Sequence, residues 1–221
     1  MKIGEIDEMC EPKSAAEGWR FDPWNLNASD ARLNGIRLLV VAESHYREGR
    51  PLDDFRRGET QEIVAAHGLH LGSTASRSSL FRKIASTLAV DGTSGSDVWR
   101  SIYFYNYFQR PMETPTERPT TLDYEVAASA FDALLRHLIP DAILIMSARV
   151  WRDMKNECVF SGECALGEIF DFTGSAGLRV PGAHTHHPSA RRPRFDPSQW
   201  RDRVADFLAY VARRRTGQAG H

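Results

Sequence analysis

Apolar positions along this chain follow two rhythms. Ile36-Arg37-Leu38-Leu39-Val40-Val41-Ala42 and Asp141 to Met146 are short, nearly unbroken apolar runs, which predicts strands buried on both faces, as in a parallel sheet. Other stretches carry helical spacing. Ser78 to Ala89 places Leu80, Ile84 and Leu88 on one stripe, and Leu122 to Leu138 gathers Val126, Phe131, Leu134, Leu135 and Leu138 near one face before Pro140 stops it. Shorter signals predict a helix near Glu59 to Ala66 within the polar stretch Arg47 to Thr74, a strand in the aromatic-rich Ser101 to Phe108, a helix over Ala148 to Cys158 and a last strand within Val180 to His187. The final helix opens at Asp196-Pro197-Ser198-Gln199, with Asp196 as cap, Pro197 at the first position and Gln199 placed to reach back.

Asp91-Gly92 and Ser94-Gly95 read as a turn, and Arg110-Pro111 through Arg118-Pro119 as a proline-punctuated loop. Residues 1 to 30 read as an irregular extension, anchored onto the rest by Trp19, Phe21 and Trp24. Strands alternating with helices predict a single α/β domain over 1 to 221: a three-layer αβα sandwich around a central, mostly parallel sheet of four to five strands. In such folds ligands bind beyond the carboxyl ends of the strands.

Composition narrows the class. The chain has 221 residues, 42% of them apolar, enough for one large packed domain. The net charge of −1 announces no nucleic-acid partner in bulk, yet Arg191, Arg192 and Arg194 cluster after a distinctive loop, and Arg213 to Arg215 near a solvated tail. No secretory leader or membrane span is visible, which predicts a cytoplasmic protein without membrane contact. Cys10, Cys158 and Cys164 are then expected as reduced thiols rather than zinc ligands.

Polar residues able to do chemistry fall at four predicted strand ends: Glu43-Ser44-His45-Tyr46; Asn106; Ser147 with Arg149; and His184-Thr185-His186-His187-Pro188-Ser189. A carboxylate can orient or deprotonate water. An amide can read both a donor and an acceptor on a heterocycle edge. A histidine can donate to charge developing on oxygen, a contribution of about 2.7 to 4 kcal/mol. Each has a plainer reading. Glu43 can cap a helix or pair with an arginine, Asn106 can satisfy buried backbone, His186 can simply pack, and His187 can hold a turn before Pro188. Three histidines invite a metal, but the spacing completes no ligand set, so neither metal nor cofactor is expected.

The order of these pieces resembles the uracil-DNA glycosylase superfamily, especially its thermophilic-type branch with an iron–sulfur cluster. Leu38-Leu39-Val40-Val41-Ala42-Glu43-Ser44-His45 is similar to a strand running into Gly-Glu-Ala-Pro-Gly. Phe104-Tyr105-Asn106-Tyr107-Phe108-Gln109-Arg110-Pro111 is similar to Thr-Asn-Val-Val-Lys-Cys-Arg-Pro, with the prolines and Glu117 that follow. Leu138 to Met146 is similar to Arg-Pro-Lys-Val-Ile-Val-Ala-Leu-Gly, and His187-Pro188-Ser189-Ala190 matches His-Pro-Ser-Ala letter for letter. The match runs in order over about residues 36 to 210.

The departures are specific. The first motif lacks both glycines and the proline. Gln109 stands where the branch has a cysteine, and no paired cysteines precede it, so no cluster is expected. Leu71 to Ser76, opposite the family's base-stacking segment, contains no phenylalanine, leaving Tyr46 or a nearby aromatic as a stand-in. The resemblance implies hydrolysis of the N-glycosidic bond of a flipped-out damaged base, uracil or another deaminated base, by a monomer acting on DNA. Glu43 would position water and His187 would stabilise the departing base. Asn106, with Ser44, His45 and Tyr46, would bind the base. Ser189, Arg191, Arg192 and Arg194 would meet the phosphates. Two alternatives stay open: a catalytically silent nucleic-acid- or nucleotide-binding protein of the same fold, and a hydrolase of another small substrate with His45 as base.

Overall fold

A computed structural model of the chain describes residues 19–71, 78–89, 93–155, 158–174, 177–189 and 194–217. In chain order the elements are β1 (Leu38–Ala42), a 3-10 turn (Leu52–Asp54), α1 (Glu59–His67), α2 (Ser79–Leu88), α3 (Gly95–Arg100), β2 (Tyr103–Asn106), α4 (Thr121–Leu138), β3 (Ala142–Ile145), α5 (Ala148–Met154), β4 (Val159–Cys164), β5 (Gly167–Thr173), β6 (Arg179–His184) and α6 (Pro197–Arg215).

The architecture is α/β, but the sheet differs from the sequence expectation. It has six strands in the order β2-β1-β3-β6-β5-β4 and is mixed. β2, β1, β3 and β6 run parallel, whereas β5 and β4 add an antiparallel hairpin at one side. The hairpin was not expected: its outer strand is half exposed, with Val159 and Phe160 facing solvent, so it carries no continuous apolar run. Two further differences follow from length. Ser94 is not a turn residue but the cap of α3, accepting from the Asp97 N–H, and six residues are too few to show a helical period. The helix expected over Ala148 to Cys158 ends at Met154.

Side chains alternate across the parallel strands and divide the core in two. Leu38, Val40, Phe104 and Leu144 pack on one face against α1, α2, α3 and α6. Leu39, Val41, Tyr105, Ile143 and Ile145 pack on the other against α4 and α5. That pattern explains why β1 and β3 read as unbroken apolar runs: both of their faces are buried. Trp19 and Phe21 are buried, and the Trp24 indole donates to the Trp99 carbonyl at 2.6 Å, so the predicted anchors hold.

Helix ends are fixed by their caps. Thr120 and Asp123 form a reciprocal capping box on α4. Asp123 also takes a bidentate ion pair from buried Arg110 at 2.8 and 2.9 Å, and Arg110 reaches Glu117 at 2.8 Å. This cluster pins the proline-punctuated loop against the sheet. Asp196 caps α6 and Pro197 leads it, but the cap's partners are the Ser198 N–H and hydroxyl rather than the Gln199 side chain. The arginines at the end of α6 are not a free tail. Arg214 grips buried Asp171 of β5 with two 2.6 Å bonds, and Arg215 lies 3.2 Å from Asp141. Among the described residues no helix is long and apolar enough to cross a membrane.

Candidate functional site

The parallel half of the sheet ends in a cavity of about 810 Å³. Glu43, Ser44, His45 and Tyr46 enter it from the end of β1, Asn106 from the end of β2, Arg149 from the start of α5 after β3, and His187 and Ser189 from the loop after β6. Ile63, Val64, Leu80, Phe81 and Phe104 supply an apolar wall. The combination of an apolar wall with a few convergent polar groups is that of a small-molecule site. Every base-binding and catalytic candidate named from the sequence lines this one space.

Backbone pairing fixes the first loop. The Tyr107 and Phe108 N–H groups donate to the carbonyls of Ala42 and Glu43 at 3.0 and 2.9 Å, the Met112 N–H donates to the His45 carbonyl at 2.9 Å, and the Arg47 N–H donates to the Met112 carbonyl at 2.7 Å. The segment after β1 is therefore laced to the segment after β2, which fixes Glu43 and Asn106 relative to one another. Gln109 adds a tie. Its Oε1 accepts from the Arg20 and Phe21 N–H groups, and its Nε2 donates to the Asn106 carbonyl at 2.8 Å.

Glu43 is largely buried and doubly held. The Ser147 hydroxyl donates to one carboxylate oxygen at 3.0 Å, and Arg149 Nη1 donates to the other at 2.6 Å. Ser147 and Arg149 were visible in the sequence as strand-end polar residues, but their partnership with Glu43 spans more than a hundred residues and no local pattern signals it. A carboxylate offers about four lone-pair sites, so capacity remains to hold a water.

Asn106 is buried, and its Nδ2 lies 3.1 Å from His45 Nε2, which is also 2.9 Å from the Thr60 hydroxyl. Burial pushes the His45 imidazole down to about 4, with Glu59 pulling the other way; it is neutral near pH 7. Thr60, on α1, was not singled out in the sequence.

His187 is oriented by its own loop. The Ser189 N–H donates to His187 Nδ1 at 3.1 Å. Burial pushes the imidazole's pKa down, opposed by Glu43 and assisted by Arg149 and Lys83. The neutral ring with Nδ1 accepting carries its proton on Nε2, as a donor. Lys83 Nζ, from α2, donates to the Pro188 carbonyl at 2.7 Å and clamps the loop. Burial, and then the charge of Glu43, push the Tyr46 hydroxyl's pKa up, and both residues line the cavity.

The remaining candidates divide. Ser189 is exposed and lines the cavity, and Arg194 is exposed beyond it. Arg191 and Arg192 lie outside the described residues, as does most of the Leu71 to Ser76 segment. His184 stacks on Trp151 with ring centroids 4.7 Å apart, and burial pushes it down to about 4. His186 packs on Trp200. The loop histidines therefore diverge, and among the described residues no group of three or more His, Cys, Asp or Glu side chains could hold a metal. Among the described residues Cys158 and Cys164 are not joined in a disulfide, and the Cys158 thiol donates to the Met154 carbonyl at 3.1 Å.

A smaller cavity of about 390 Å³ lies among the side chains of the opposite core, lined by residues that include Tyr107, Phe131, Asp153 and Phe172. It contains none of the sequence-predicted residues. Comparison with known proteins adds nothing to the geometry: no family model matches the chain, and no curated protein matches it.

Proposed function

We propose that this chain is a glycosylase-like hydrolase that cleaves the N-glycosidic bond of a flipped-out damaged base, uracil or another deaminated base, in DNA. The observation that carries the reading is the meeting of Glu43, Asn106 and His187, from three separate strand ends, in one cavity with an apolar wall. A base must leave the helical stack to be reached, at a cost of a few kcal/mol, and the wall formed by Ile63, Val64, Leu80, Phe81 and Phe104 offers it apolar contact in return.

In this scheme Asn106 reads the base edge. The C1′–N bond breaks and its electron pair leaves with the base. The resulting charge on the base's carbonyl oxygen is met by the His187 Nε2–H, a neutral donor that is already oriented before reaction. Water held by Glu43 adds to C1′, and the proton it releases balances the one taken up by the departing base. Ser189 and Arg194, both exposed, would meet the phosphate backbone, and Arg191 and Arg192 would add counter-charge. Tyr46, which lines the cavity with Phe81 and Phe104, would take the stacking role. The protein is taken as a cytoplasmic monomer.

One observation favours a second reading. The 2.6 Å contact from Arg149 to Glu43 neutralises the carboxylate's charge and weakens it as a base toward water, as expected of a silent nucleic-acid- or nucleotide-binding protein. A third reading, hydrolysis of another substrate with His45 as base, has less support because burial makes that imidazole a weak base and because it is tied to Thr60 and Asn106.

The test incubates the protein with labelled DNA carrying uracil, hypoxanthine, xanthine or thymine opposite guanine, followed by alkali. Strand cleavage lost in Glu43→Gln and His187→Ala supports the hydrolase. Binding without cleavage of any lesion supports the silent protein, and neither binding nor cleavage overturns both.

A further inference from the structure

The smaller cavity, of about 390 Å³, plays no part in the scheme above. Its lining comes from α4, the end of α5 and the end of β5. Tyr107, Phe131, Leu135, Met154 and Phe172 form a buried floor. Glu125, Ala128 and Thr173 are exposed and form the mouth. The space is therefore reachable from solvent, and its volume falls within the range of about 300 to 1,000 Å³ usual for small-molecule sites.

Two features of the lining select the charge of an occupant. The first is electrostatic. Glu125, Asp132 and Asp153 border the space, and among the described residues no lysine, arginine or histidine does. Asp132 is paired with Arg136 on the next turn of α4. The Tyr107 hydroxyl donates to Asp153 Oδ2 at 3.0 Å and orients that carboxylate. An anion would be repelled here, and a neutral apolar guest would strip water from the carboxylates without replacing it. The second feature is aromatic. The Phe131 ring meets Tyr107 at 5.9 Å and 69°, and Phe172 at 6.2 Å and 77°, with Tyr124 also in the lining. Rings crossed this steeply do not all turn their edges to a shared space, so part of the lining is the negative face of a ring, which attracts a cation.

The same lining separates an organic cation from a metal ion. Among the described residues no three His, Cys, Asp or Glu side chains are grouped to hold a metal. The carboxylates stand apart in a lining that also includes Leu135 and Met154, which suits a charge spread over methyl and methylene groups. We infer that this cavity is a second binding site, for an organic ammonium cation alkylated at nitrogen: the aromatic rings take the cationic head, and Glu125 and Asp153 balance its charge. The inference stands apart from base excision and does not fall with it.

Choline and dimethylbutanol, its uncharged carbon analogue, are the paired probes, because they share a shape and differ in charge. Each is titrated into the isotope-labelled full chain and followed by NMR at the cavity's aromatic rings and the Met154 methyl. Choline binds at least about tenfold more tightly than the alcohol, as a cation held against desolvated rings should. Glu125→Gln weakens choline by about two- to fivefold, the share of an exposed charge. Ala128→Trp closes the mouth and abolishes binding. Both positions are exposed, so the fold persists, which unchanged amide resonances in β1 and β3 verify. A peptide carrying trimethyl-lysine separates two sources of the same chemistry. Tighter binding than choline, with shifts spreading to Thr173, assigns the site to a side chain of another protein; binding no tighter assigns it to a free amine. Equal or tighter binding of the alcohol, choline affinity unchanged in both variants, or no shift at any cavity resonance overturns the inference.

Discussion

Two arginine–carboxylate pairs occupy the two halves of the sheet, and they differ in one respect. In the antiparallel half, Arg214 grips Asp171 with both nitrogens at 2.6 Å, and Asp171 is almost wholly buried. That pair ties the end of α6 to β5, and its carboxylate lines neither of the two cavities. In the parallel half, Arg149 meets Glu43 with one nitrogen, Ser147 takes the other oxygen, and the carboxylate borders an 810 Å³ cavity. The same chemistry serves packing in one place and leaves binding capacity in the other. A fork-to-fork pair uses the carboxylate's best geometry on its partner, whereas a one-handed pair holds the carboxylate in orientation while keeping lone pairs for a ligand.

Substitutions separate the two roles. On the proposed hydrolase reading the largest effect is on catalysis: Glu43→Gln lowers single-turnover excision by about a thousandfold, as the role proposed for it in holding water requires, with a melting temperature close to wild type. His187→Ala follows at about a hundred- to a thousandfold, the loss typical of one oriented donor. Asp171→Asn does the converse. It lowers unfolding free energy by about 2 kcal/mol in denaturant titration, less than for a fully buried pair because Arg214 is partly exposed, and leaves excision by the folded fraction unchanged. A large activity loss with Asp171→Asn, or a large stability loss with Glu43→Gln, would break the distinction.

A smaller effect probes how the hairpin joins the parallel strands. A Cβ built on Gly182 of β6 would sit 2.2 Å from the Phe172 ring of β5, a contact no side chain tolerates. Gly182→Ala therefore costs about 1 to 3 kcal/mol, as overpacking does, and shows as a lowered denaturation midpoint. A separate effect is on pH. His45 and His184 are held near 4 by burial, below the value of about 6.5 in an unfolded chain. The unfolded state then binds more protons between those values. Stability is complete above about pH 6.5 and declines as pH falls toward 4, and His45→Phe flattens that decline in an acid titration of the melting temperature.

How much of this was legible in the sequence depended on whether a feature is local. The runs Ile36 to Ala42 and Asp141 to Met146 revealed β1 and β3 because strands buried on both faces need no alternation. Glu43, Asn106 and His187 were found because each lies at or just after the point where such a strand ends. The hairpin β4–β5 was missed because its residues are partly exposed and interrupted by Gly162, whose φ of 156° accompanies a shift in register. The links that define the site are tertiary: Arg149 to Glu43, Thr60 to His45, Lys83 to Pro188. Each joins residues whose separation in sequence carries no period, so only the folded arrangement reveals them. The arginines at 213 to 215 show the opposite error, since a run of like charge read as solvated tail proved to contain two structural ion pairs.

The central claim is that one cavity gathers the groups that bind and cleave a base. The most direct measurement is a crystal structure of Glu43→Gln with a duplex carrying a lesion that the wild type excises. The account predicts the lesion base extruded into the cavity, within hydrogen-bond reach of the Asn106 amide and His187 Nε2, with its sugar facing residue 43. A base left stacked in the duplex, or seated against the smaller cavity near Tyr107 and Asp153, would contradict it.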